Sequence, residues 1–172
     1  MILALDLSLT CTGATILRRD GLMNLWTITT RPGPLGARLW YIYNEIQDTI
    51  RHHPLDLLVI EGPSFGSKQG LLSAGEVRAT FELAIIHYGP IPVLEVPPGT
   101  LKLYACGRGN AGKEEVLVAA VTRLGYTGHD NNVADAAWLA QIGAATLGWD
   151  STVPVPASHQ KALTKLAKVM AA

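Results

Sequence analysis

Short apolar runs separated by turn residues dominate the first thirty positions of the chain. Residues 2–7 form an apolar run that carries one acid, 12–17 and 22–29 are rich in β-branched residues, and 19–21 (Arg-Asp-Gly) supply a turn. Runs of this kind, bounded by turn residues, are typical of buried strands. The N-terminal region therefore predicts three strands in an antiparallel meander.

The next segment of the chain has a helical pattern of apolar residues. Leu39, Ile42, Ile46 and Ile50 recur at intervals of three and four. This spacing predicts an amphipathic helix over 35–53. Similar patterns, ended by Gly and Pro, predict the other elements. They are strands at 55–60 and 91–96, helices at 71–88, 113–124 and 131–147, a flexible polar stretch at 64–70, a short helical piece from Pro97, a Gly-rich loop at 106–112 and a basic tail helix at 158–171.

The predicted order of elements is βββαβαβαα with a tail. Strands and helices that alternate in this way indicate one α/β domain, with a mixed sheet and helices on its faces. We expect this domain to span residues 1–150 and a basic C-terminal tail to span 151–172.

Composition limits the class of protein. The chain has 172 residues, of which 48% are hydrophobic and 16% charged, so it can build a core and is not globally disordered. Its net charge of zero argues against a general nucleic-acid coat protein, because non-specific DNA affinity comes mainly from phosphate neutralisation. Lacking a signal-peptide or membrane-span pattern, it is expected to be cytoplasmic, with Cys11 and Cys106 as reduced thiols.

Three acids interrupt apolar segments. Asp6 lies in the first run, Glu61 follows the run at 57–60, and Asp135 interrupts an apolar helix. A buried carboxylate is costly unless it is paired or binds a cation, and carboxylates brought together raise one another's pKa. A divalent cation removes this conflict, and oxygen ligands suit Mg²⁺ or Mn²⁺. The alternative to a shared metal site is three separately satisfied structural acids.

Helical spacing suggests a fourth ligand. Asn132 lies three residues before Asp135 and shares its helix face, so its amide oxygen is the first candidate. Asp130 is better placed as the N-cap of this helix. His129 and Asp130 are the alternative ligands if the helix begins later.

Four sequence blocks resemble the motifs of RuvC-type Holliday junction resolvases, which belong to the RNase H-like nuclease superfamily. The blocks are ILALDLSLTCTG at 2–13, LVIEGPSF at 58–65, VPPGTLKLYACGRGNAGK at 96–113 and NVADAAWLA at 132–140. The resemblance implies an α/β, RNase H-like fold whose five-stranded sheet has three antiparallel and then two parallel strands. It also implies a homodimer and Mg²⁺-dependent cutting of paired strands at branched DNA, in recombination and repair.

By position, Asp6, Glu61 and Asp135 match acidic metal ligands of the family, whereas Asn132 stands where the family often has another acid. Lys113 and Lys102 match basic positions near the scissile phosphate. Phe65 matches a loop residue that wedges or stacks at the junction centre. The other candidates for DNA contact are Lys68, Gln69, Arg78 and Arg108.

Three alternatives stay open at this point. A non-catalytic relative that binds branched DNA is favoured by Asn132 in place of an acid. An actin-like ATPase or sugar-kinase fragment is favoured by the acid, polar turn and glycine within 6–13, although such enzymes need two lobes. A nuclease for flaps, forks, three-way junctions or RNA–DNA hybrids fits the same metal site. The small size and neutral charge suggest a phage-encoded member.

Overall fold

The computed structural model of the chain describes residues 1–63, 68–150 and 153–170, without the side chains of 68–71 and 168–170. Its elements in chain order are β1 (Ile2–Asp6), β2 (Cys11–Leu17), β3 (Met23–Thr29), α1 (Leu35–His52), β4 (Leu57–Glu61), α2 (Lys68–Ile85), a 3-10 turn (Ile86–Tyr88), β5 (Val93–Val96), α3 (Pro98–Cys106), α4 (Lys113–Leu124), α5 (Asn131–Thr146) and α6 (Ala157–Met170). The sheet has the order β3-β2-β1-β4-β5, antiparallel from β3 to β1 and parallel from β1 to β5. This arrangement confirms the predicted mixed sheet.

Most boundaries lie within two residues of the prediction, and three differences need comment. α2 begins at Lys68, so residues 68–70 are helical and do not belong to the predicted polar loop, and it ends at Ile85. The short helical piece is a nine-residue helix, α3, whose N-terminal Pro98 has a φ suited to a first helical position. Glu61 is the last residue of β4 rather than the first residue beyond it.

Both faces of the sheet are covered, which explains the unbroken apolar runs of its central strands. Ile2 and Ala4 of β1 belong to a buried cluster with residues of α3, α4, α5 and α6. Leu3 and Leu5 belong to a second cluster with residues of α1 and α2. Because side chains alternate along a strand, Asp6 continues the face of Ala4, toward α5.

α5 lies very close to the sheet because glycines stand at two contact points. A Cβ built on Gly13 would lie 2.0 Å from the carbonyl oxygen of Asn132, and one built on Gly143 would lie 2.7 Å from Val59 Cγ2. Gly13 is also the strand partner of Asp6. The first turn of α5 is therefore seated beside the end of β1.

The segment expected to be a basic tail forms α6 and packs on α3. Ala162 and Leu166 are buried in the same cluster as β1 and α5, while Lys161 and Lys165 are exposed. Among the residues that the structure describes, no helix combines the length and apolar content needed to cross a membrane.

Replacing Gly13 by alanine is expected to lower the free energy of unfolding by about 3 kcal/mol, since the new methyl group meets backbone atoms of α5 that have no room to move. Urea denaturation measures this change. Gly36→Ala is the matched control, because a Cβ there has no neighbour within 4 Å. A Gly13→Ala protein as stable as the control would contradict the close packing of α5.

Candidate active site

A cavity of about 620 Å³ opens where β1 and β4 end beneath α5. The parallel register pairs Leu5 with Ile60, so the next residues, Asp6 and Glu61, end neighbouring strands side by side. Seven predicted site residues line this carboxylate cavity: Asp6, Glu61, Lys102, Lys113, Asn132, Asp135 and Arg78. The three acids, far apart in sequence, therefore share one cavity.

The start of α5 is set by Asp130, as predicted. Its Oδ1 accepts hydrogen bonds from the backbone N–H of Asn132 at 2.9 Å and of Val133 at 3.1 Å. This cap satisfies two amides that have no partner within the helix. The Asp130 carboxylate is thus engaged in capping the N-terminus of α5, and neither Asp130 nor the exposed His129 is among the residues that line the cavity.

Asn132 is tied to β2 through its side chain. Its Nδ2 donates to the carbonyl oxygen of Cys11 at 2.7 Å. Because this bond uses the amide nitrogen, it fixes the orientation of the amide group and leaves Oδ1 as the atom available to a ligand. Asn132 is the one uncharged member of the predicted ligand set in the cavity wall.

The carboxyls of the cavity have strongly raised pKa values. Burial raises the pKa of Asp6 to about 7, and the charge of Asp135 adds to the effect. Burial and the charges of Asp6 and Asp135 raise the pKa of Glu61 to about 8. Burial raises the pKa of Asp135 to about 6. The ionised forms are thus poorly solvated and repel one another, which is the situation that a bound cation relieves.

These carboxyls do not form a closed coordination sphere. In the described ranges, no three His, Cys, Asp or Glu side chains are gathered as tightly as in a preformed metal centre. Asp6, Glu61 and Asp135 share the cavity, and the charge of Asp135 raises the pKa values of the other two, but a cation would have to draw the three closer together. Their donor atoms, with the amide oxygen of Asn132, are all oxygens and suit a hard divalent cation.

Two lysines face the acids from α3 and α4. Lys102 and Lys113 both lower the pKa values of Glu61 and Asp135, opposing the larger effect of burial. Lys113 is the first residue of α4, after Gly112, whose N–H donates to Glu115 at 2.8 Å. The lysines leave the acids with raised pKa values, so they compensate the negative charge only in part.

Arg78 is in the cavity wall but is paired with two acids. Its Nε donates to Glu82 at 2.8 Å and its guanidinium donates to Glu95 at 2.6 Å. A DNA phosphate would have to compete with both carboxylates for this side chain. Glu95 is a cavity residue that sequence reasoning missed; its only signal was an acid between Leu94 and Val96 in a strand.

The other candidates for DNA contact either are not among the residues that line the cavity or are not fully described by the structure. Arg108 forms an ion pair with Glu115 beside the Gly-rich loop and is not among the residues lining the cavity. Phe65 lies outside the described residues. Lys68 and Gln69 belong to the first turn of α2, but their side chains lie outside the described part of the chain.

The raised pKa values predict how stability depends on pH in the absence of divalent ions. The folded protein binds protons that the unfolded chain releases, so stability falls as pH rises from about 4 to about 8, the pKa of Glu61. Asp6→Asn removes one buried charge. At pH 8 in EDTA we expect its free energy of unfolding to exceed that of the wild type by about 2 kcal/mol.

This difference should disappear below pH 4, where carboxyls are protonated in both states. Urea denaturation at several pH values measures it. The exposed Asp150 provides the control, since Asp150→Asn removes a carboxylate outside the cavity. A variant no more stable than the wild type at pH 8 would contradict an uncompensated buried charge at Asp6.

Comparison with known proteins agrees with this geometry. The family model described as "Crossover junction endodeoxyribonuclease RuvC" matches residues 2–142. The protein of that name from Synechococcus sp. (strain CC9902) is 28% identical over 155 residues, covering 86% of this chain and 97% of the relative. The one from Pelotomaculum thermopropionicum is 29% identical over 158 residues, covering 87% and 96%.

A solved structure described as T. thermophilus RuvC in complex with Holliday junction substrate is also similar. It has a TM-score of 0.69 at 21% identity, over 88% of this chain and 96% of that chain. This similarity confirms the predicted RNase H-like fold class. Since the family model covers most of the sequence, the chain belongs to the RuvC family of crossover junction endodeoxyribonucleases.

Proposed function

We propose that this protein is a metal-dependent endonuclease that resolves four-way (Holliday) and related branched DNA junctions by paired phosphodiester hydrolysis. The observation that carries the proposal is the cavity that gathers Asp6, Glu61 and Asp135, all with raised pKa values, beside two lysines. Family membership supplies the substrate class. A RuvC relative of the same fold is described in complex with a Holliday junction.

Asp6, Glu61 and Asp135, with the amide oxygen of Asn132, would hold the divalent cations, of which Mg²⁺ is the proposed natural one and Mn²⁺ a substitute. When bound, such cations lower the pKa of an attacking water and neutralise charge on the phosphate oxygens. The carboxylates come from three elements, because Asp6 and Glu61 end the neighbouring strands β1 and β4 and Asp135 enters from α5.

Lys113 and Lys102 are proposed to contact the scissile phosphate. Both face the acids, so they lie where negative charge grows during hydrolysis, and an ammonium group there stabilises the transition state more than the ground state. Arg78, Arg108, Lys68, Gln69 and Phe65 remain proposed contacts with the DNA.

We also propose that the protein acts as a homodimer. A four-way junction presents two equivalent strands, and paired incision requires two sites related by a two-fold axis. Mapping both incision sites on one junction, together with the mass of the protein in solution by light scattering, tests this proposal.

Two alternatives are less well supported. The parts of the chain that the structure describes build one sheet with helices on both faces, whereas an actin-like ATPase needs two lobes. The non-catalytic binder is favoured by Asn132, whose amide is already bonded to Cys11, but three acids of the cavity remain. The substrate preference among branched DNAs and the suggested phage origin stay predictions.

Asp6→Asn is expected to reduce junction cleavage more than about 100-fold, because it removes a cation ligand from the cavity, while junction binding stays measurable. Cleavage of a labelled four-way junction in Mg²⁺, in Mn²⁺ and in EDTA measures the effect, with Asp150→Asn as control. Binding by the wild type without any nicking in either metal would support the non-catalytic alternative.

Lys113→Ala is expected to slow cleavage about 10- to 100-fold while weakening junction binding only slightly, because the lysine acts on charge that develops during hydrolysis. Single-turnover rates and the dissociation constant of the junction separate the two effects. The exposed Lys165 on α6 is the matched control. Equal losses of rate and affinity would argue against a role of Lys113 at the scissile phosphate.

A further inference from the structure

The C-terminal end of α3 is held by side chains from two other helices. A helix leaves its last four carbonyls without partners of its own. His159 of α6 donates through Nδ1–H to the carbonyl of Tyr104 at 2.9 Å, and Arg123 in the last turn of α4 donates to the carbonyl of Ala105 at 3.1 Å. In this nine-residue helix, side chains of other helices therefore hold two of the last four carbonyls.

The ring of His159 also packs on the turn that ends α3. Gly107 caps this helix at φ +82, and a Cβ there would lie 2.6 Å from His159 Nε2 and 3.0 Å from Cδ2. His159 is 6% exposed. A buried imidazole therefore seals the junction between α3 and the Gly-rich loop, at a place where only glycine leaves room for the ring.

This junction leads directly to both lysines of the carboxylate cavity. Lys102 lies one turn before the end of α3, and the loop at 107–112 ends at Lys113. The loop has little slack, because a Cβ on Gly109 would lie 3.1 Å from the carbonyl oxygen of Gly99. A displacement of the end of α3 would therefore move Lys102 and Lys113, which form the cationic side of the cavity.

We propose that His159 is a positioning residue of the nuclease site, which holds Lys102 and Lys113 in place through α3 and the Gly-rich loop. The inference rests on the proposed function. His159 is not among the residues that line the cavity, so it acts through α3 rather than on DNA. It also lies beyond residues 2–142, which match the family model, so this chain's C-terminal helix contributes to the site.

The test compares His159→Ala, His159→Asn and Ile50→Val in the full-length protein. His159→Ala should lower the single-turnover cleavage rate of a four-way junction in Mg²⁺ about tenfold, with the junction dissociation constant changed less than about twofold. His159→Asn should recover most of the rate, because its Nδ2–H can donate to the carbonyl of Tyr104. Ile50→Val destabilises the other face of the sheet and should leave the rate unchanged.

A wild-type rate in His159→Ala, or an equal loss in Ile50→Val, would overturn the inference. A cleavage rate of His159→Asn that is no higher than that of His159→Ala would also overturn the inference. Hydrogen exchange of the DNA-free protein provides a readout independent of cleavage. Amides at 104–113 should exchange faster in His159→Ala than in the wild type, and not in Ile50→Val.

These readouts separate the inference from the proposed function. If the wild type cuts no branched DNA, the proposed function fails, whereas the exchange data still test the link from His159 to the loop. If the wild type cuts and exchange at 104–113 is unchanged in His159→Ala, the inference alone fails.

Discussion

The contact between α5 and β2 at Gly13 is the constraint on which the site depends. A side chain at this position would collide with the backbone of Asn132, so its absence lets the first turn of α5 rest on the strand. Gly13 is paired with Asp6, and Asp135 therefore comes to the same cavity as the strand-end acids. The geometry of the carboxylates follows from one backbone approach between helix and sheet.

The same packing makes the site electrostatically costly. Layers of helices cover both faces of the sheet. The carboxyls at the ends of β1 and β4 and on α5 are therefore partly removed from water, and their pKa values rise. In the absence of cations this charge lowers the stability of the fold at neutral pH. The stability lost in this way favours cation binding, because a bound cation removes the penalty. Perturbed pKa values of this kind are often found at functional sites.

The cationic side of the cavity depends on more distant contacts. Lys102 and Lys113 flank a Gly-rich loop, and helix caps from α4 and α6 hold the end of α3 that precedes it. Arg78 is braced between Glu82 and Glu95. The lysines thus face the acids, whereas the arginine in the same wall is already neutralised.

Local patterns in the sequence determined the strands, most helices, the Asp130 cap and the three acids, because an acid within an apolar run is visible without knowing its neighbours. The start of α2 at Lys68 was missed, since polar and glycine residues there show no helical period. Only the tertiary structure decided that Glu95 neutralises Arg78 and that His159 caps α3. These contacts join surfaces distant in sequence, and a local pattern carries no record of which surfaces meet.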